Sequence, residues 1–138
     1  MRIERFDYLP EDAMLIREAV FVEEQGFCDE RDETDDIATH FVMYDGETPI
    51  ATCRTFPDAS GDCYLLGRFA VRREYRGRGL GREMLRAAEA YVRTVGGARL
   101  ALHSQYHAKG FYEACGYTAQ GDVEDEQGCP HIWMTKSM

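Results

Sequence analysis

The chain has 138 residues, 44 % of them apolar, enough for one domain with a sizeable core over residues 1–138. Twenty-five acidic residues against 16 lysines and arginines leave a net charge of −9, which speaks against nucleic-acid binding. No apolar run approaches the roughly 18 residues of a membrane span, and Met1-Arg2-Ile3-Glu4 carries no signal-peptide pattern, so a soluble, unprocessed, cytoplasmic protein with no membrane partner is expected. The five cysteines (Cys28, Cys53, Cys63, Cys115, Cys129) are odd in number and lack C-x-x-C spacing, so they read as reduced thiols and not as zinc ligands.

Residues 1–6 read as a first strand. Pro10 opens a helix in which Ala13, Ile16, Val20 and Glu24 recur at helical spacing, ending near Gly26. Glu23 to Asp36 then hold eight carboxylates and one arginine, Arg31. This segment lacks the ligand spacing and central glycine of an EF-hand, so it reads as a solvated or helix-capping stretch. His40 to Tyr44 and Ile50 to Thr55 form a hairpin around Asp45-Gly46, and Pro57 to Asp62 is a turn.

Residues 63–71 are the next strand, and Arg76-Gly77-Arg78-Gly79-Leu80-Gly81 follows it. That run opens a helix over 79–95 with Met84, Leu85, Ala88, Tyr91, Val92 and Val95 on its apolar face. A strand, a glycine-rich turn and a helix N-terminus together cradle a pyrophosphate, because the backbone can approach the ligand and free N–H groups favour negative charge. Arg82 and Glu83 follow the last glycine, so a P-loop lysine and hydroxyl are missing, and with them the signature of a nucleotide hydrolase. The G-x-G-x-G spacing is also not the dinucleotide G-x-G-x-x-G. Arg72, Arg73, Arg76, Arg78, Arg82 and Arg86 cluster here, either as a phosphate-binding patch or as a solvated helix face. A strand over 98–104, a short helix over 106–115 capped by Gly116, a strand from Tyr117, an acidic turn from Asp122 to Gly128 and a last strand at 130–135 complete the order. The expected fold class is α/β, with a mixed, mainly antiparallel sheet flanked by helices.

The spacing [QR]-x-x-G-x-[GA], opened by Arg76, resembles the acetyl-CoA pyrophosphate loop of the GNAT superfamily of N-acetyltransferases. Gln105 to Tyr117, which contains Ala108, Phe111-Tyr112-Glu113 and Gly116, is similar to the superfamily segment N-x-x-A-x-x-F-Y-E-x-x-G-F. Gln105 stands where asparagine is usual, and Tyr117 where phenylalanine is common. Arg17, Val20 to Gln25, Asp32, Asp35-Asp36, His40, Gly67-Arg68 and Pro130-His131-Ile132 further resemble a small bacterial branch, the ElaA-like proteins.

The resemblance implies a single-domain GNAT fold, acetyl-CoA as co-substrate without a metal, and transfer of an acetyl group to a primary amine by direct attack. A small-molecule or peptide amine is the implied acceptor, and a homodimer suits the superfamily. Phe69, Ala70 and Val71 are then expected along pantetheine, with Arg76, Gly77, Arg78, Gly79, Leu80 and Gly81 on the diphosphate. Tyr112 falls on the tyrosine that often protonates the leaving thiolate, or else is a core aromatic packed beside Phe111. Leu65 occupies the position of the strand glutamate that some members use as general base, so Glu24, His40, His131 or a relayed water remain as candidates. Phe21, His40, Arg68 and His131 are expected at the acceptor site. Arg68 either contacts the substrate or pairs with a carboxylate of the acidic segment. That segment itself is either solvated or an acidic rim that attracts a cationic amine. The missing strand glutamate also fits a non-catalytic acyl-CoA-binding module.

Overall fold

The computed structural model describes residues 1–28 and 31–138. A seven-stranded sheet has the order β1-β2-β3-β4-β5-β7-β6. Its strands are β1 (Arg2–Phe6), β2 (Thr39–Asp45), β3 (Thr48–Pro57), β4 (Cys63–Val71), β5 (Arg99–Gln105), β6 (Thr118–Glu126) and β7 (Cys129–Ser137). Every neighbouring pair is antiparallel except β4 and β5, which run parallel. The crossover between that pair is α3 (Leu80–Thr94), as a parallel pair requires.

Helices cover both faces, and strand alternation divides the core accordingly. Phe41 and Met43 of β2 join Leu80, Met84, Leu85, Ala88 and Val92 of α3 on one face, with Tyr112 of α4 (Lys109–Ala114) in the same cluster. Val42 and Tyr44 turn the other way, to Ala13 and Ile16 of α1 (Glu11–Arg17) and to Val20. Val95, expected on the α3 core face, is exposed because the helix stops at Thr94 and Gly96 turns the chain at φ +84°.

Two local features differ from the sequence expectations, and a third, the helix capping in the acidic stretch, is borne out and made specific. The first helix does not stay α-helical, because Glu18–Glu24 continue it as a π segment. The acidic stretch contains a further helix, α2 (Glu33–Ile37), opened by a reciprocal capping box between Asp32 and Asp35. The expected turn from Asp122 to Gly128 shrinks to Gln127-Gly128. Both of these residues have positive φ, as a two-residue hairpin turn needs, so Asp122 to Glu126 are free to pair as strand.

Asp35 of α2 is fully buried. It accepts hydrogen bonds from Arg17 Nη1 at 2.9 Å and from Arg54 Nη1 at 2.7 Å, and both arginines are buried too. Arg54 also donates to Asp32 Oδ1 at 2.7 Å, and Arg68 Nη2 lies 3.4 Å from Asp32 Oδ2. Burial pushes the Asp35 carboxyl up, but its bonds to Arg17 and Arg54 outweigh this and hold it well below the usual carboxylate range.

Replacing Asp35 with alanine removes the buried carboxylate that two buried guanidinium groups share. The expected loss is about 3–5 kcal/mol of unfolding free energy in urea at pH 7. In the unmodified protein this contribution is complete above about pH 4, the unfolded carboxylate value. It fades as pH falls through the lower folded value, an acid limb that Asp35→Asn should lack.

Candidate active site

The two parallel strands pair only from Cys63 to Leu66 on β4 and from Arg99 to Leu102 on β5. Beyond that point they part. On β4 the cause is a bulge: Arg68 and Phe69 stand against the single residue Cys53, between the pairs Thr52–Ala70 and Arg54–Gly67. Arg68 takes φ +48°, a backbone state rare for a residue with a Cβ. The opening is a cleft of about 1440 Å³. One wall is Gly67 to Val71, and the facing wall is Leu102 to Gln105.

The glycine run lies at one end of the cleft. Arg73–Tyr75 form a single 3₁₀ turn, Gly77 and Gly79 take φ +77° and +76°, and Gly79 is the N-cap of α3. A Cβ at Gly77 or Gly79 would meet no atom within 4 Å, so these positions are glycine for backbone conformation and leave open space above the loop. Gly77, Gly79, Leu80, Gly81 and Arg82 line the cleft, at the N-terminus of a 15-residue helix whose first amides are available to an anion. The donor set and the elongated cleft fit a diphosphate carrying a long thioester arm. The Arg78 side chain folds away, bonding to Glu74 O at 3.0 Å and lying over Tyr75. Arg78, expected on the diphosphate, is not part of the cleft lining.

Arg76 makes a two-pronged bond to Glu24, with Nη1 to Oε2 at 2.6 Å and Nη2 to Oε1 at 2.8 Å, while its Nε donates to Val71 O at 2.9 Å. The hydrogen bonds from Arg76 hold the Glu24 carboxyl below its usual range. Glu24, expected as a candidate base, therefore clamps the π segment to the loop, and a weakly basic carboxylate in that clamp is poorly suited to accept a proton. The π segment also turns Val20, Phe21 and Gln25 into the cleft.

Tyr112 is buried at 7 % exposure and lines the cleft beside Phe69, Phe111 and Cys115. Its ring is edge-on to Phe111 at 5.0 Å, Tyr117 at 5.9 Å and Phe69 at 6.2 Å. Burial pushes its phenol well up, so it stays protonated at neutral pH. Tyr112 is thus a core aromatic packed beside Phe111, as one of its two sequence readings had it, and it also lines the cleft.

The acceptor residues expected from sequence separate into two groups. Phe21, Arg68 and His131 line the cleft. His40 does not, which corrects its placement there. It is 1 % exposed, its Nε2 donates to Asp35 O at 2.9 Å, and burial lowers its basicity, so it is part of the support under α2. The expected acidic rim is likewise corrected for Asp32 and Asp35, which turn towards arginines. Asp29 and Glu30 lie outside the described residues.

Four cleft residues escaped the sequence reading: His103, Glu126, Trp133 and the bridging Gln127. His103 Nδ1 lies 3.0 Å from Glu126 Oε2, and its ring stacks on Trp133 at 4.7 Å. The available signal was alternation. Leu100 and Leu102 face the α3 core, as do Ile132 and Met134, so His103, His131 and Trp133 take the opposite face. Gln127 Oε1 accepts from Cys28 N at 3.2 Å, and Gln105 Nε2 donates to Gln25 Oε1 at 2.8 Å, so the segment after the π turn bridges the cleft. Cys28, Cys115 and Cys129 also line it.

The acetyltransferase (GNAT) family model matches residues 5–117. A Bacillus subtilis (strain 168) protein, named as an acetyltransferase without a substrate, is 38 % identical over 130 residues, 90 % of this chain and 86 % of the relative. An N-acetyltransferase crystal structure from Lactobacillus plantarum superposes with a TM-score of 0.90 at 35 % identity, covering 99 % of this chain and 97 % of that one. Escherichia coli ElaA shares the fold, with a TM-score of 0.84 at 24 % identity over 98 % of this chain and 99 % of its own.

Gly79→Val tests the cradle. A β-branched residue at this positive φ should cost about 1–3 kcal/mol of stability and shift the loop backbone, turning an amide away from a bound anion. Affinity for acetyl-CoA, read by titration calorimetry, is then expected to fall roughly tenfold or more.

Proposed function

From the premise that this chain belongs to the GNAT acetyltransferase family, and is thus an acyl-CoA-dependent acyltransferase, we propose that it moves an acetyl group from acetyl-CoA to a primary amine by direct attack. The observation that carries this reading is the parting of β4 and β5 beside the positive-φ loop, with Tyr112 at the edge of the same opening. The thioester supplies an activated acyl group. The chain supplies position and protons.

Amides at the start of α3 hold the diphosphate in this reading, through Gly77 to Gly81. The free edge of Phe69, Ala70 and Val71 lies along the pantetheine arm, where strand N–H groups also polarise the thioester carbonyl. Tyr112 gives its proton to the departing sulfur. Its phenol is protonated before the reaction and sits in an apolar surround, where a charged thiolate is poorly stabilised unless it takes a proton. Attack by the amine and departure of CoA occur in one ternary complex. No cysteine is needed as a covalent relay, and burial pushes the Cys53 thiol far up, away from a reactive thiolate.

The test follows thiol release from acetyl-CoA with propylamine, spermidine, glucosamine and a lysine-containing peptide. Tyr112→Phe is expected to lower kcat by about 10²–10⁴-fold while acetyl-CoA affinity holds. An unchanged kcat would remove Tyr112 from the proton transfer. Tight acetyl-CoA binding without turnover on any amine would count against acyl transfer to small acceptors.

A further inference from the structure

Direct attack leaves one proton unassigned, because the amine nitrogen must lose a proton as the amide forms. On the acyl-transfer reading above, we infer that His131 accepts it, held ready by Glu126 and His103.

The hydrogen bonds fix the tautomers. His131 Nδ1 lies 2.9 Å from Cys129 O, and a carbonyl only accepts, so Nδ1 carries the hydrogen and the neutral ring keeps its lone pair on Nε2. His103 Nδ1 lies 3.0 Å from Glu126 Oε2, and a carboxylate likewise only accepts. His103 therefore also presents Nε2 as its bare nitrogen. That atom is shielded from solvent and has no hydrogen-bond partner among the described residues, so a proton placed there finds no acceptor. His131 Nε2 differs, because it lies 3.7 Å from Glu126 Oε2. A proton arriving on His131 makes an imidazolium facing a carboxylate, while His103 keeps that carboxylate in place. Trp133 in turn fixes the His103 ring by stacking, and the two imidazoles lie 5.0 Å apart. Cys129 O thus orients the ring through Nδ1, and Glu126 stands beside the accepting Nε2, where it stabilises the imidazolium.

Position supports the assignment. His103 is the first β5 residue beyond the last parallel pair, Leu66–Leu102, and His131 stands opposite Gln105 in the β5–β7 register. The cluster thus lies on the β5 wall, across the opening from the β4 edge at Phe69 to Val71. The titratable groups around His131 are His103 on β5, Glu126 and Glu124 on β6, and the Cys129 thiol on β7. Glu124 is its register partner. Of the other bases considered, Glu24 is clamped by Arg76 and His40 is buried under α2. His131 is the catalytic residue of the cluster, and Glu126 and His103 are positioning residues. Starting from the neutral amine, the N–C bond forms and the C–S bond breaks, His131 Nε2 takes the one proton that the nitrogen loses, and Tyr112 protonates the sulfur. Solvent then returns a proton to Tyr112 and removes one from His131.

The test has two arms. In ¹⁵N-histidine-labelled protein, ring spectra should show hydrogen on Nδ1 of His131, and Glu126→Gln should move the ring resonances of both His131 and His103. Hydrogen on Nε2 of His131, or ring resonances unmoved by Glu126→Gln, overturns the assignment. In the second arm, kcat/KM is measured against pH with whichever panel amine turns over fastest. His131→Gln should lose about 10²-fold at pH 7, with the loss shrinking at high pH as hydroxide removes the proton in its place. Acetyl-CoA affinity and melting temperature should hold. Glu126→Gln should lower kcat more than it raises KM. A His131→Gln loss that is equal at all pH values, or confined to acetyl-CoA affinity, also overturns the assignment. Failure of the whole amine panel counts against acyl transfer itself, and the ring spectra then rule on the cluster alone.

Discussion

Everything in the cleft follows from one parallel pairing that stops early. An antiparallel sheet with helices on both faces has no natural opening between neighbouring strands. Here the parallel pair supplies one, because β4 bends at the Arg68–Phe69 bulge while β5 continues towards β7. The same break releases backbone donors along one edge and exposes the His103 face of the other strand. A strained φ at Arg68 is the local cost, of the order of 1–3 kcal/mol.

That cost is carried by an ionic frame behind the bulge. Arg54 is the register partner of Gly67, next to the bulged residues, and is fixed to Asp32 and Asp35, and Asp35 is fixed in turn to Arg17 of α1. A frame of charges is a stiffer support than apolar contact, since its hydrogen bonds are directional and removal of one member leaves another buried without compensation. At the other end of the cleft, the bond between Glu24 and Arg76 ties the π segment to the glycine loop. Both ends of the β4 wall are therefore held by guanidinium–carboxylate pairs.

Much of this was legible in the chain. Apolar periodicity marked each strand and the long helix, and glycine placement marked the cradle, because these are local consequences of backbone geometry. The π segment was not legible: Val20, Phe21 and Glu24 fit an α-helical pattern equally well. The helix-capping reading of the acidic stretch holds at Asp32 and Asp35, but their pairing did not show, because the buried arginines that they satisfy lie on distant elements. His103 was hidden for a related reason. Alternation says which face of β5 it takes, but only the insertion of β7 between β5 and β6 reveals that His131, Trp133 and Glu126 join it there. Long-range strand order, and with it the composition of that wall of the cleft, is what local pattern does not encode.

The lining of the cleft draws on distant parts of the chain. One set lies in the middle, between Leu66 and Arg82 and between Leu102 and Cys115, and the other in the π segment near residue 21 and the β6–β7 hairpin near residues 126–133. Side-chain bonds join the two sets at Glu24–Arg76, Gln25–Gln105 and His103–Glu126. Substitutions at those pairs should couple, and substitutions elsewhere in the lining should combine nearly additively. A descendant of this sequence that keeps the three pairs is thus free to vary the rest of one set while the other stays unchanged.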